Sequence, residues 1–356
     1  MTIRFLPVLY CLVMILSFIT CVREIDFKND DADKTALVVN GGIYNRKGPF
    51  QLRLTRPTNY EKRDFEPVSG ASVILSDDLG NLHSYAEPDP AGRPGTYVLE
   101  GIAGVPGRTY TLQITLSDGT EYRSRAQKMP EPLPVDSAEM RFAFIEDITA
   151  EGEITKVPFA FLYAHSTVPA QADGRYLRWE GEATFIFNEL PGPNQKQCFV
   201  TNGISAQVVT LQDPVELQPG TPVEAYTGRR RIDYSFDLRN CFSLYQRTIG
   251  KEAYLYWKRV KSIVEPTGTV FDTPPAVIPG NLENLTDPGR PALGFFEVAS
   301  SDTTRIYVNR GDLPFDVVAF IPIYCSTTNP SASKHDECLD CTRIGGSSLQ
   351  KPDWWQ

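Results

Sequence analysis

The residues best suited to chemistry in this 356-residue chain lie near its end: Cys325, His335, Cys338 and Cys341. Thiolate and imidazole are soft ligands, and four of them can close a tetrahedral zinc site. Only Cys338 and Cys341 have the two-residue spacing that a zinc ribbon repeats on both sides. The same sulfurs can instead pair as disulfides, and the compartment decides between the two. A redox-active pair would need a helix start to lower a thiol pKa, and Thr342-Arg343-Ile344-Gly345-Gly346 breaks any helix there. The three histidines, His83, His165 and His335, stand in no recognisable motif. There is no Gly-x-Ser-x-Gly elbow, His-Glu-x-x-His helix or phosphate-binding glycine loop. Carboxylates are plentiful but scattered, and Asp26, Asp30, Asp31 and Asp33 lack the glycine and distal glutamate of a calcium loop. The expectation is no catalytic residue, no cofactor and no metal, with an unrecognised hydrolase as the least favoured alternative.

The first residues bear on the compartment. Arg4, an apolar core from Phe5 to Ile19, Thr20 and then Cys21 form a leader whose core is shorter than the roughly 20 residues that span a bilayer. It resembles a bacterial lipoprotein signal, with residues 1–20 removed and Cys21 left as the first residue and lipid anchor. Acyl chains contribute about 0.8 kcal/mol per buried methylene, so a lipidated Cys21 holds a polar body at a membrane. Plain secretion and a retained helix are the alternatives. An exported chain meets oxidising conditions, so disulfides are expected. Five cysteines follow Cys21, and one bridge is expected within Cys325, Cys338 and Cys341, a second using Cys198. Spacing does not set the connectivity.

The elements that must position these residues read mostly as strands. With 28 prolines and 26 glycines, the chain is turn-rich, and it is long enough for two domains. A net charge of −9 spread along the chain argues against a nucleic-acid partner. The one basic run, Arg229-Arg230-Arg231, is read as a solvated loop tip. Residues 21–35 form an acidic tether. From residue 36 to 128, the runs Ala36 to Tyr44, Phe50 to Thr55, Ala71 to Leu75, Thr96 to Leu99, Thr109 to Leu116 and Thr120 to Ser124 alternate as strands of a β-sandwich. Ser117-Asp118-Gly119-Thr120 supplies a hairpin turn. Residues 129–135, with three prolines, form a stiff connector to a second β-rich domain, 136–356. There, strands are expected at Glu139 to Ile145, Phe159 to Tyr163, Arg175 to Phe187, Ala206 to Leu211 and Arg231 to Leu238. One amphipathic helix, Lys251 to Val264, spaces Ala253, Tyr256, Trp257, Val260 and Val264 at helical intervals, with Trp257 read as a core residue ahead of the alternative, an aromatic ligand platform.

Pro67-Val68-Ser69-Gly70-Ala71-Ser72-Val73, Asp78-Leu79-Gly80-Asn81, Gly95-Thr96-Tyr97 and Gly104-Val105-Pro106-Gly107 resemble the transthyretin-like or carboxypeptidase-regulatory type of Ig-like sandwich. The helix, Gly268-Thr269-Val270-Phe271-Asp272-Thr273-Pro274-Pro275, Ala292 to Ser300 and the ending Lys351-Pro352-Asp353-Trp354-Trp355 are similar to a lipoprotein family of Bacteroidota catalogued as domain of unknown function 4249. The resemblance implies an outer-membrane lipoprotein, on its periplasmic or its outer face, often encoded near TonB-dependent receptors, in a family with no established activity. The function so implied is an accessory or ligand-capturing partner of such a receptor, with a surface adhesin or structural envelope protein as the alternative. Cys241 lies outside the parts that carry the likeness and is the candidate for the unpaired thiol.

Overall fold

Runs that alternate between apolar and polar residues cannot satisfy their backbone groups locally, so they pair with distant parts of the chain. In the computed structural model, which describes residues 36–57, 65–149, 151–168, 175–204, 209–265, 278–322 and 324–356, they form nineteen strands. The first nine are β1 (Val38–Tyr44), β2 (Phe50–Arg56), β3 (Glu66–Pro67), β4 (Ser72–Asp77), β5 (Leu82–Tyr85), β6 (Thr96–Leu99), β7 (Thr109–Thr115), β8 (Glu121–Ser124) and β9 (Gln127–Lys128). There follow β10 (Ser137–Ile148), β11 (Ile154–Thr167), β12 (Tyr176–Asn188), β13 (Gln197–Gly203), β14 (Thr210–Gln212), β15 (Pro222–Arg231), β16 (Asn240–Ile249), β17 (Leu282–Asn284), β18 (Leu293–Val308) and β19 (Ser347–Ser348). The leader, Cys21, the tether and the run 268–275 lie outside the described residues.

Three sheets result. A ten-stranded sheet runs β19-β13-β12-β16-β18-β1-β2-β3, with β14 beside β12 and β6 beside β2. A six-stranded sheet runs β17-β8-β7-β4-β5, with β9 beside β7, and a three-stranded sheet runs β10-β11-β15. The alternation in β7 works as written: Tyr110, Leu112 and Ile114 are buried, and their neighbours face outward. They pack on Leu37, Val39, Leu52, Leu54 and Leu99 of the large sheet, forming a face-to-face core. At the turn after β7, Gly119 takes φ +85°, a conformation that side-chain-bearing residues rarely adopt.

The hydrogen-bonded sheets cross the expected boundary at residues 129–135. β1 pairs in parallel with β18, Val38 opposite Leu293 and Tyr44 opposite Ala299. β17 joins the six-stranded sheet beside β8. Gly294, at φ +76°, lets the two backbones meet, since a Cβ there would stand 2.1 Å from the Val39 carbonyl oxygen. The proline-rich connector is fastened rather than free: the Leu133 amide donates to Thr248 Oγ1 at 2.9 Å, and Gln246 Nε2 donates to the Leu133 and Pro134 carbonyls.

The helix is present as α1 (Lys251–Val264), and two one-turn helices, Phe315–Val318 and Asp336–Leu339, go beyond the single helix expected. One expected strand is corrected. Residues 231–238 hold a 3₁₀ turn at Tyr234–Phe236, because the Asp233 side chain accepts from the Ser235 amide at 2.9 Å and turns the chain. The preceding strand, β15, ends at Arg231, so Arg229-Arg230-Arg231 lies in a strand and not at a loop tip. β15 packs there because Arg229 and Arg231 stand opposite Phe161 and Phe159 of β11.

Candidate functional site

The chemically richest site lies where α1 crosses the large sheet. Alternation along β12 sends Trp179 into the core and Arg178, Glu180 and Glu182 to the helix side. The antiparallel register then sets Arg178 directly opposite Arg247 of β16. Two like charges opposite one another destabilise a sheet unless something bridges them. Glu180 does so: Oε1 accepts from Arg178 Nη1 at 2.5 Å and Oε2 from Arg247 Nε at 3.2 Å. Glu297 of β18 supplies the second carboxylate, accepting from Arg178 Nη2 at 2.7 Å and Nε at 3.2 Å. It also accepts from Trp257 Nε1 of α1 at 2.7 Å.

Aromatic rings close the network. The Arg178 guanidinium lies over the Trp257 ring at 4.3 Å, and that of Arg247 over Tyr44 at 3.7 Å. A guanidinium over a ring face is favoured further when water is excluded. The side chains of Arg178 and Glu297 are only 5% and 4% exposed, whereas that of Glu180 is 39% exposed, because it opens into a cavity. Burial alone would raise the Glu180 carboxyl pKa; Arg178 and then Arg247 outweigh it and hold the value down to about 2. Burial pushes the Tyr44 hydroxyl well above its ordinary value. An ionised, paired glutamate has no proton to give, and its lone pairs are engaged by guanidinium donors. The arrangement therefore suits recognition better than acid–base work.

The cavity measures about 430 Å³ and is lined by Glu180, Glu182, Tyr245, Trp257, Val260 and Thr227, among others. Glu182 accepts from the Tyr245 hydroxyl at 2.8 Å. Carboxylates and aromatic faces on an apolar wall of this size match the makeup of small-ligand sites.

The residues singled out from the sequence are placed elsewhere. Cys198 of β13 is bonded to Cys341, and Cys325 to Cys338, so the two neighbouring cysteines of the Cys-x-x-Cys go to different partners. With all four sulfurs in disulfides, none is left as a thiolate for zinc. The His335 ring packs at a tilt against Tyr324, centroids 4.6 Å apart, with Nδ1 3.2 Å from the Tyr324 hydroxyl. Cys241 is free and buried beside Phe199 and Trp355. His83 pairs opposite Leu75 in the six-stranded sheet. His165 lies 3.1 Å from Glu139, and with Glu224 these form the one group of potential metal ligands found among the described residues. Arg141 donates to both carboxylates, at 2.7 Å and 2.6 Å, which occupies them.

Sequence reasoning missed Tyr44, Arg178, Glu180, Glu182, Tyr245, Arg247 and Glu297 as a site, and it favoured Trp257 as a core residue over an aromatic ligand platform. The available signal was a charge inside an apolar strand run, as in Phe295-Phe296-Glu297-Val298-Ala299, because a buried charge demands a partner.

Fold and site together define a class: a stacked-sheet β protein, stapled by disulfides, with a buried ion network beneath the helix α1. No curated protein is similar enough to count as a match. The chain belongs to the family described as Domain of unknown function (DUF4249), whose model matches residues 22–305.

Proposed function

We propose that the protein is a lipid-anchored outer-membrane protein of Bacteroidota that captures a small ligand, without transforming it, beside a TonB-dependent transport receptor. Cys21 carries the lipid, and residues 22–35 hold the body off the membrane. The face-to-face N-terminal sheets are of the transthyretin-like or carboxypeptidase-regulatory type and serve as scaffold.

The observation that carries this reading is the cavity beneath α1. Its charged wall consists of Arg178 and of carboxylates already bonded to arginine or tyrosine, with aromatic side chains beside them. Ion-paired carboxylates beside aromatic faces suit the holding of donors and cations better than proton transfer. The leader and the family membership support the location and the neighbouring receptor.

Purification from detergent-solubilised membranes tests the partnership: recovery with a barrel receptor is expected, and recovery always alone refutes it. Cys21→Ser should release the protein from membranes, and a mutant that stays attached overturns the anchor. Gene deletion should lower uptake of a nutrient; unchanged uptake with altered attachment would instead support an adhesin.

A further inference from the structure

A solvated sheet face ordinarily carries small polar or charged side chains, as Thr111, Gln113 and Thr115 do on β7. The outer face of the three-stranded sheet breaks this rule. Along β11, Ala160, Leu162 and Ala164 point into the core, and Phe159, Phe161 and Tyr163 point the other way and are half-buried. Their cross-strand partners complete a grid. Phe159 stands between Ala143 and Arg231, Phe161 between Arg141 and Arg229, Tyr163 between Glu139 and Tyr226, and His165 between Ser137 and Glu224. A bulge between Leu162 and Tyr163 brings Glu224 and Tyr226 onto the same face as Arg229 and Arg231. The rings form a continuous strip, with centroids 6.5 Å apart for Phe159–Phe161, 6.2 Å for Phe161–Tyr226 and 5.6 Å for Tyr163–Tyr226.

Charge is distributed unevenly along this strip. At one end, Arg141 is bonded to Glu139 and Glu224, which leaves an excess of one negative charge. At the other end, Arg229 stacks over Phe159 at 5.1 Å, and neither Arg229 nor Arg231 has a carboxylate partner among the described residues. Arg230, between them, points inward onto Phe185. Aromatic rings and arginine are the side chains enriched in protein interfaces, and a contiguous patch of them on a sheet face marks an interaction site. A two-fold axis lying in the plane of the contact, across the strands, reverses the strip end for end. It sets Arg231 and Arg229 of one copy over Glu224 of the other, with the rings between them. Self-complementarity of this kind is what an isologous contact requires.

We propose that this face, β10-β11-β15, is the contact between two copies of the protein, the basic end of each meeting the acidic end of the other. This goes beyond the ligand-capture reading and does not depend on it. Association is expected at roughly micromolar concentrations or above.

Sedimentation equilibrium of the purified chain, from about 1 μM to about 500 μM, tests it. The mass is expected to double with concentration. R229E/R231E should weaken the association by at least about tenfold, since like charges then face one another at both ends. Phe161→Ser should weaken it similarly without changing any charge. Mixing the R229E/R231E chain with an E224K chain should restore association between the two. All the substituted side chains lie on the outer face of the sheet and none is fully buried, and circular dichroism checks that each variant is folded. A wild-type chain that stays monomeric throughout, or a dimer that R229E/R231E and Phe161→Ser leave unchanged, overturns the proposal.

Discussion

Replacing Glu297 by glutamine removes one charge from a network of two arginines and two glutamates and nearly preserves shape. In the wild type, Glu297 accepts from Arg178 at 2.7 Å and 3.2 Å and from Trp257 at 2.7 Å, with its side chain 4% exposed. In the variant, Glu180 alone must answer both guanidiniums, and Arg178, with its side chain only 5% exposed, meets little water. Breaking a buried pair from one side costs about 3–5 kcal/mol, and the remaining Glu180 contact places this case near 3 kcal/mol. Removing both partners as Arg178→Met with Glu297→Leu leaves the Arg247–Glu180 pair balanced and should cost less than Glu297→Gln, about 1–2 kcal/mol, most of it from the Trp257 indole N–H left without its acceptor. Urea unfolding followed by tryptophan fluorescence measures both, since Trp257 lies against Arg178. A loss below about 1 kcal/mol for Glu297→Gln, or a double variant as costly as the two single ones added, would refute the network as described.

Other consequences are open to direct measurement. Glu180 is held ionised down to about pH 2, below its unfolded value, so its contribution is complete above the ordinary carboxylate range. That contribution is lost as the pH falls towards 2, and acid unfolding of Glu180→Gln should show a smaller stability change across this window. Cys198–Cys341 spans 143 residues and Cys325–Cys338 only 13. Loop entropy then assigns about 5 kcal/mol to the first and about 3 kcal/mol to the second, so the alanine pair at 198 and 341 should unfold at lower urea than the pair at 325 and 338. The reverse order would show that loop length does not govern these bridges. Cys241 is fully buried, and burial pushes its thiol pKa up. It should resist an aromatic disulfide reagent in the native protein and react once urea unfolds it; prompt native labelling would contradict that burial.

Much of the local structure was legible because it is written in short periods. Tyr110 to Leu116 alternates and forms β7; Lys251 to Val264 has helical spacing and forms α1 over those residues. Residues 231–238 misled because Tyr234, Phe236 and Leu238 alternate as strand residues do, and the Asp233 cap overrides that pattern. The parallel pairing of β1 with β18 leaves no mark at either strand, as each reads as an ordinary β segment. The ion network was not legible. Arg178 and Glu180 lie in a run read only as an alternating strand, Arg247 and Glu297 come from strands far along the chain, and only the sheet order brings them together. Arginines at 229 and 231 were visible as a run; that their neighbours would be phenylalanines of β11 depends on the register.

The parallel pairing of β1 with β18 also governs the order in which the chain can fold. β1 and β2 emerge from the ribosome early, yet the edge of β1 has no partner until residues 293–299 have followed it. Likewise β8 waits for residues 282–284. Until then the apolar face of Leu37, Val39 and Ile43 is only partly covered, and the open edge is a template for wrong pairing. Closing such distant contacts is slow, so β17 and β18 act as a latch on the much earlier β8 and β1. A piece ending near residue 128 should therefore not hold as a module on its own, whereas adding back residues 278–308 in trans should protect it from proteolysis.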